Sequence, residues 1–192
     1  MILQKKTTKR ELNAEFKRYN IMIEFTIHGE ITSAARARTW FNPKAGKIMT
    51  TTPPKYRSWK ERIYAVAMEH RPEKFLEGPL AMLCIFCFDM PKSRRRKDVN
   101  KEQILTIGNK DTDNLLKAIK DGCQKVIYGN DNQVSIVTAI KRYVKDEEYV
   151  QVFIGDPVEI IPLQIMELER IQKILIERER ILTPVRIANE SR

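Results

Sequence analysis

The chain has 192 residues, 42% of them hydrophobic, and carries 35 Lys and Arg against 25 Asp and Glu, for a formal net charge of +10. That length suits one domain with a terminal extension, and the apolar share is enough for a core, which excludes a chain disordered throughout. No apolar run approaches the roughly 20 residues of a membrane span, and the start "MILQKKTTKRELNAEFKR" lacks the apolar segment of a signal peptide. A cytoplasmic protein with no membrane partner is expected, and an odd cysteine count there argues against a disulfide framework.

In chain order, residues 1–19 read as a polar, basic arm. "IMIEFTIHGEI" (21–31) alternates as a strand with Ile23, Phe25 and Ile27 on one face. "TSAARARTWFNPKAGKIMTTTPP" then reads as a loop and hairpin, with turn chemistry from Asn42, Pro43 and Gly46. Trp40 and Phe41 within it fit hairpin or core packing better than a wedge that opens a nucleic acid. From Lys55 to His70 the spacing of Tyr56, Trp59, Ile63, Val66 and Ala67 is helical, and Pro72 closes the helix.

Residues 79–90 form a hydrophobic strand that contains Cys84 and Cys87. Three apart on a strand, the two point to opposite faces and read as buried small apolar groups, not as a chelating pair. A polar loop over 91–110 precedes a helix from about 114 to 123. "QVSIVTAIKRYV" (133–144) is β-branched and strand-like, with "YVQVFIG" (149–155) expected as its neighbour in the sheet. In the tail, Ile161, Leu168, Ile171, Leu175 and Leu182 fall on one helical stripe, suited to packing on the domain or to a dimer contact. His28 and His70 are isolated and make poor general bases.

The positive charge is concentrated. Residues 31–60 hold seven Lys and Arg, Arg36 and Arg38 among them, and no acid. "KSRRRK" adds Lys92, Arg94, Arg95, Arg96 and Lys97 in six positions. Such stretches suit a polyanion, and phosphate contacts supply most non-specific nucleic-acid affinity.

The acids are placed differently. "NKDTDNLLKAIKDGCQKVIYGNDNQV" (109–134) sets Asp111 and Asp113 before a helix on which Lys117 and Asp121 stack over Asp113 at four-residue spacing. Asp113 alone would make a good N-cap, and Asp111 would favour the helix dipole. Capping makes no demand on the remote Asp131, which a strand packed on the helix would bring to the helix start. Three carboxylates at one place repel unless a cation joins them, and oxygen ligands without His or Cys suit Mg²⁺ or Mn²⁺. An acidic metal site within a basic surface is the logic of a metal-dependent nuclease.

"KDTDNLLKAIKDG" followed by "YGNDNQV", with "MPKSRRRK" upstream, resembles the RusA-type Holliday junction resolvases over roughly residues 20–155. The resemblance implies an α+β (mixed α/β) fold, a single compact domain (20–158) with a mixed sheet packed by helices; the C-terminal helical extension from 159 to 192, read from its own apolar spacing, lies outside the resemblance. The resemblance also implies a homodimer that binds four-way DNA junctions and cuts them symmetrically with Mg²⁺ or Mn²⁺. By position it makes Asp111, Asp113 and Asp131 the metal-binding acids and Lys117 the essential lysine, with Asn114 and Gln133 in support. Arg36, Arg38 and the cluster from Lys92 to Lys97 are the expected backbone contacts. The chain departs from the pattern at Asn130, where the family usually has an acid; a non-catalytic nucleic-acid-binding relative is the alternative.

Overall fold

The computed structural model describes residues 22–92, 105–106, 110–145 and 147–190, without the side chains of residue 38 and of 178–190. The expected basic arm and Arg94, Arg95, Arg96 and Lys97 lie outside the described residues, as does the side chain of Leu182.

Among the described residues, six strands and three helices follow the order β1 (Ile23–His28), β2 (Arg38–Asn42), β3 (Lys47–Thr51), α1 (Pro54–Glu69), β4 (Leu80–Asp89), α2 (Thr112–Cys123), β5 (Val134–Val144), β6 (Tyr149–Gly155) and α3 (Pro157–Glu190). Four strands form a mixed sheet in the order β1-β6-β4-β5. β6 runs antiparallel to both β1 and β4, while β5 runs parallel to β4. The fold is therefore α+β, as the sequence leads one to expect.

β4 is central because its sequence allows nothing else: every residue from Leu80 to Phe88 is buried, so both faces must be covered. One face meets α1 and α2 through Phe25, Met82, Phe86, Trp59, Ile63, Leu115 and Ile119. The opposite face, with Ala81, Leu83, Ile85 and Ile140, is closed by Ile160 of α3. Cys84 belongs to the first core and Cys87 to the second, so the two thiols do point to opposite sides of the sheet. The helix pair is close: a Cβ on Gly122 would lie 2.3 Å from Ile63 Cγ2, so only glycine lets α2 approach α1 here.

Two expectations need correction. β6 is not the sheet neighbour of β5; it lies between β1 and β4. At the end of β5, Val144 O accepts from Met90 N–H at 2.9 Å. A doubly buried strand needs a partner on each edge, and β6 supplies the second. In the tail, the packed side of α3 is Ile160, Leu163, Gln164 and Ile171, whereas Leu168 and Leu175 face outward. Gln164 pins this side by donating from Nε2 to Met82 O at 3.1 Å.

The hairpin β2–β3 forms a sheet of its own. Asn42 Oδ1 accepts from the Lys44 and Ala45 amides, and Gly46 takes φ +61° to close the turn. Trp40 and Phe41 are not core residues: they are 46% and 61% exposed.

Buried acids of another kind make the fold alkali-sensitive. Burial lifts the Cys84 thiol well above its ordinary value of 9.0 and Cys123 to about 12. Burial, with Asp121 second, lifts the Tyr56 phenol from 10.0 to about 12. Above pH 9 to 10 the unfolded chain releases these protons while the folded chain keeps them, so stability falls as pH rises toward about 12. Urea midpoints measured between pH 8 and 11 should fall steadily, and Tyr56→Phe should flatten the upper part of the decline.

Candidate active site

α2 starts where an apolar face begins: Leu115, Ala118, Ile119, Gly122 and Cys123 are buried, and the polar residues turn outward. Its N-cap position is Asp111, not Asp113, and no side chain makes a cap hydrogen bond there. Asp113 sits inside the first turn. Both aspartates are exposed. Asn114 Nδ2 donates to Asp111 Oδ2 at 3.4 Å, which orients that carboxylate. The capping explanation for the acid pair therefore fails, and two carboxylates stand at the partly positive end of a helix.

The basic loop after β1 is fastened to this helix start. Ala34 N–H bonds to Asn114 O at 2.9 Å, and Lys110 Nζ donates to Ile31 O. Lys110 also lies over the Phe88 ring, 5.1 Å from its centroid, and Lys141 Nζ donates to Lys110 O at 2.9 Å. From the other side Glu148 Oε2 accepts from Ile31 N–H at 2.8 Å. Arg36 is exposed two residues beyond Ala34, and Lys92 is exposed after β4.

Asp131 is reached by a different route. It opens a single 3-10 turn over Asp131–Gln133 that leads into β5. Asn130 caps the turn, accepting from Asn132 N–H at 3.0 Å, while Gln133 Oε1 accepts from Asn130 N–H at 3.0 Å. Gln133 Nε2 then donates to Leu76 O at 3.0 Å, which ties the turn to the segment before β4. An asparagine at 130 thus performs a task open to an aspartate, since either side chain offers the cap oxygen. Asn114 and Gln133 hold carboxylate and turn respectively.

Asp131 meets a cation in this structure. Its Oδ2 lies 3.6 Å from Lys120 Nζ, two turns along α2. Tyr128 Oη donates to Lys120 O at 3.0 Å, and Tyr56 Oη donates to Asp121 Oδ2 at 3.5 Å. Lys117 is exposed on the outward side of the same helix. Among the described residues, no three His, Cys, Asp or Glu side chains stand together as a metal-holding group. The physical reason is plain: a carboxylate settles against an ammonium in preference to two other carboxylates. In donor chemistry Asp111, Asp113 and Asp131 fit a hard divalent ion; in arrangement the Asp131–Lys120 pair must open first.

Lys120 escaped sequence reasoning because Lys117, at perfect four-residue spacing from Asp113, drew the attention. Its signal was available: Lys120 lies about 60° around the helix from Lys117 at 100° per residue, still on the outward face. Tyr56 and Tyr128 carried no signal beyond apolar spacing.

The chain belongs to the RusA endodeoxyribonuclease family: the family model Endodeoxyribonuclease RusA matches residues 29–155, from just after β1 to the end of β6. It is also similar to "Uncharacterized protein YqaN" of Bacillus subtilis (strain 168), 31% identical over 139 residues that cover 70% of this chain and 96% of that protein. The family match stops just before α3. No helix among the described residues is long and apolar enough to cross a membrane.

Proposed function

We propose that the chain is a structure-selective endodeoxyribonuclease that uses Mg²⁺ or Mn²⁺ to resolve four-way DNA junctions in recombination and repair, acting as a homodimer. The observation that carries this reading is the pair of exposed carboxylates at the start of α2, neither of them engaged in capping. The acid-free basic loop fastened beside them supports a polyanionic substrate. Two symmetric cuts call for two sites related by a two-fold axis, hence the homodimer.

Asp111, Asp113 and Asp131 would hold the ion. Bound there, a divalent ion neutralises charge at the phosphorus and activates the attacking water. Asn114 keeps Asp111 turned toward the site, and Gln133 keeps the Asp131 turn in register. Lys117, on the outward face between Asp113 and Asp121, steadies negative charge on the phosphate. Arg36, Arg38 and Lys92, with Arg94, Arg95, Arg96 and Lys97, hold the DNA backbone. Incubation of a synthetic four-way junction with Mg²⁺ or Mn²⁺ should give paired nicks; intact junctions with every divalent ion would overturn the catalytic reading.

A second reading, a DNA-binding relative without catalysis, is favoured by the Asp131–Lys120 contact. Magnitude decides between them. The two side chains are 25% and 37% exposed, and such pairs contribute about 0–1 kcal/mol. An ion shared by three carboxylates outweighs that easily. Lys120→Met should therefore tighten Mn²⁺ binding by up to about fivefold in calorimetry. Unchanged or weaker binding would show that the pair does not compete with the ion, and no saturable Mn²⁺ binding in the wild type would favour the second reading.

A further inference from the structure

Hairpin β2–β3 stands apart from the core, and its composition is peculiar for an exposed element. It carries Trp40, Phe41 and Ile48 at 46%, 61% and 70% exposure. It lies inside the stretch 31–60, which has seven Lys and Arg and no acid. Large apolar groups on a surface hairpin are ordinarily covered by something. A cationic surrounding selects a covering partner that is negative and yet has flat apolar faces, and a nucleic-acid base on its phosphate backbone is such a partner.

Register sharpens the point. Trp40 pairs with Met49, Phe41 with Ile48, and Arg38 and Asn42 with Thr51 and Lys47. Alternation then puts Trp40 and Lys47 on one side of the hairpin, with Phe41 and Ile48 on the other. The Thr39–Thr50 hydroxyl contact at 3.2 Å lies on this second side. One side thus offers an indole with a lysine nearby on the neighbouring strand, the arrangement of a stacking platform with a phosphate contact. The hairpin base is held by Arg57, whose Nη2 lies 3.5 Å from Thr51 Oγ1 and 3.4 Å from Thr52 O. Through Ala34 and Asn114 the loop leading into the hairpin is fastened to the acid-bearing helix start.

Building on the nuclease reading above, we infer that β2–β3 is the element that recognises the branch: Trp40 stacks on a base left unpaired or unstacked at the junction, while Arg38 and Lys47 take the flanking phosphates. Uninterrupted duplex offers no free base face, so the hairpin favours branched DNA over linear DNA. Phe41 and Ile48 back the platform from its other side.

Tryptophan emission tests this on the full chain, because it has only two tryptophans and Trp59 is buried at 3% exposure. The chain is titrated with a four-way junction and a matched linear duplex, without divalent metal. The junction should quench emission, the duplex much less, and Trp40→Phe should remove the quench while keeping most of the affinity. Trp40→Ala should weaken junction binding about tenfold or more, as expected for one lost stacked base, and duplex binding less than about twofold. Arg38→Ala with Lys47→Ala should weaken both and lower the salt slope by about 2.

Emission that ignores a saturating junction, or Trp40→Ala binding as tightly as the wild type, overturns the inference. So does emission that changes with protein concentration alone, which would make the hairpin a contact between copies of the chain. Junction binding with a silent Trp40 removes only the hairpin's role; no junction binding by the wild type removes the nuclease reading as well.

Discussion

Asp113→Asn is expected to reduce junction cleavage by about 10³-fold or more while junction binding stays at the wild-type level or tightens. The substitution is isosteric, and the residue lies exposed in the first turn of α2, where it makes no cap hydrogen bond. Folding therefore loses only a favourable charge near the helix dipole, about 0.3–1 kcal/mol. On the proposed reading catalysis loses one of the carboxylates that would hold the ion, and a 10³-fold loss corresponds to about 4 kcal/mol of barrier. Removing a negative charge from a surface that meets phosphates cannot weaken that encounter. Gel-shift and nicking assays on one junction separate the two effects. A variant that cuts within tenfold of the wild type would mean that Asp113 serves the helix alone.

Glu167→Ala should be the most destabilising single change in the helix that lies beyond the family match. Arg142, on β5, and Glu167, on α3, meet at 3.0 Å with side chains only 7% and 14% exposed. Arg142 also donates to Gln151 Oε1 at 3.3 Å and to Cys87 Sγ at 3.2 Å. Truncating the glutamate leaves a buried guanidinium without this carboxylate, at a cost of about 3 kcal/mol. For a domain of this size that lowers Tm by roughly 6–12 °C. Replacing the pair together, Arg142→Met with Glu167→Leu, should recover most of the loss, because a well-packed apolar pair matches a buried ion pair. Calorimetry of the single and double variants checks both statements; a single variant that melts with the wild type would show that Ile160, Leu163, Gln164 and Ile171 hold α3 without the ion pair.

Much of this fold could be read from residue order. The alternation of Ile23, Phe25 and Ile27, the unbroken run of β4 and the helical spacing from Tyr56 to Ala67 each state which face is buried. Local chemistry of that kind is visible in any short window. Strand order is not local: nothing in "YVQVFIG" announces that it will lie between β1 and β4, since β5 stands next to it in sequence and both have strand composition. The tail misled for a related reason. Its apolar residues occur on more than one side of α3: Ile171 of the expected stripe packs, together with Ile160 and Leu163, whereas Leu168 and Leu175 stay exposed.

The site was half legible. Residue types and spacing single out Asp111, Asp113 and Asp131, because paired acids in a basic chain are costly without a purpose. What spacing cannot supply is the point along α2 at which a turn eight residues beyond its end comes to rest. That depends on Gln133 reaching Leu76 O and on Gly122 letting α2 settle against Ile63. The outcome sets Asp131 against Lys120, a residue whose place on the helix looks unremarkable in the sequence.

Manganese-soaked crystals of the wild-type chain, measured at the manganese absorption edge, address the shared ion itself. The account predicts one anomalous peak coordinated by Asp111, Asp113 and Asp131, with the Lys120 ammonium withdrawn from Asp131. A peak that touches Asp111 and Asp113 while Asp131 keeps its contact with Lys120, or no peak at the start of α2, would contradict it.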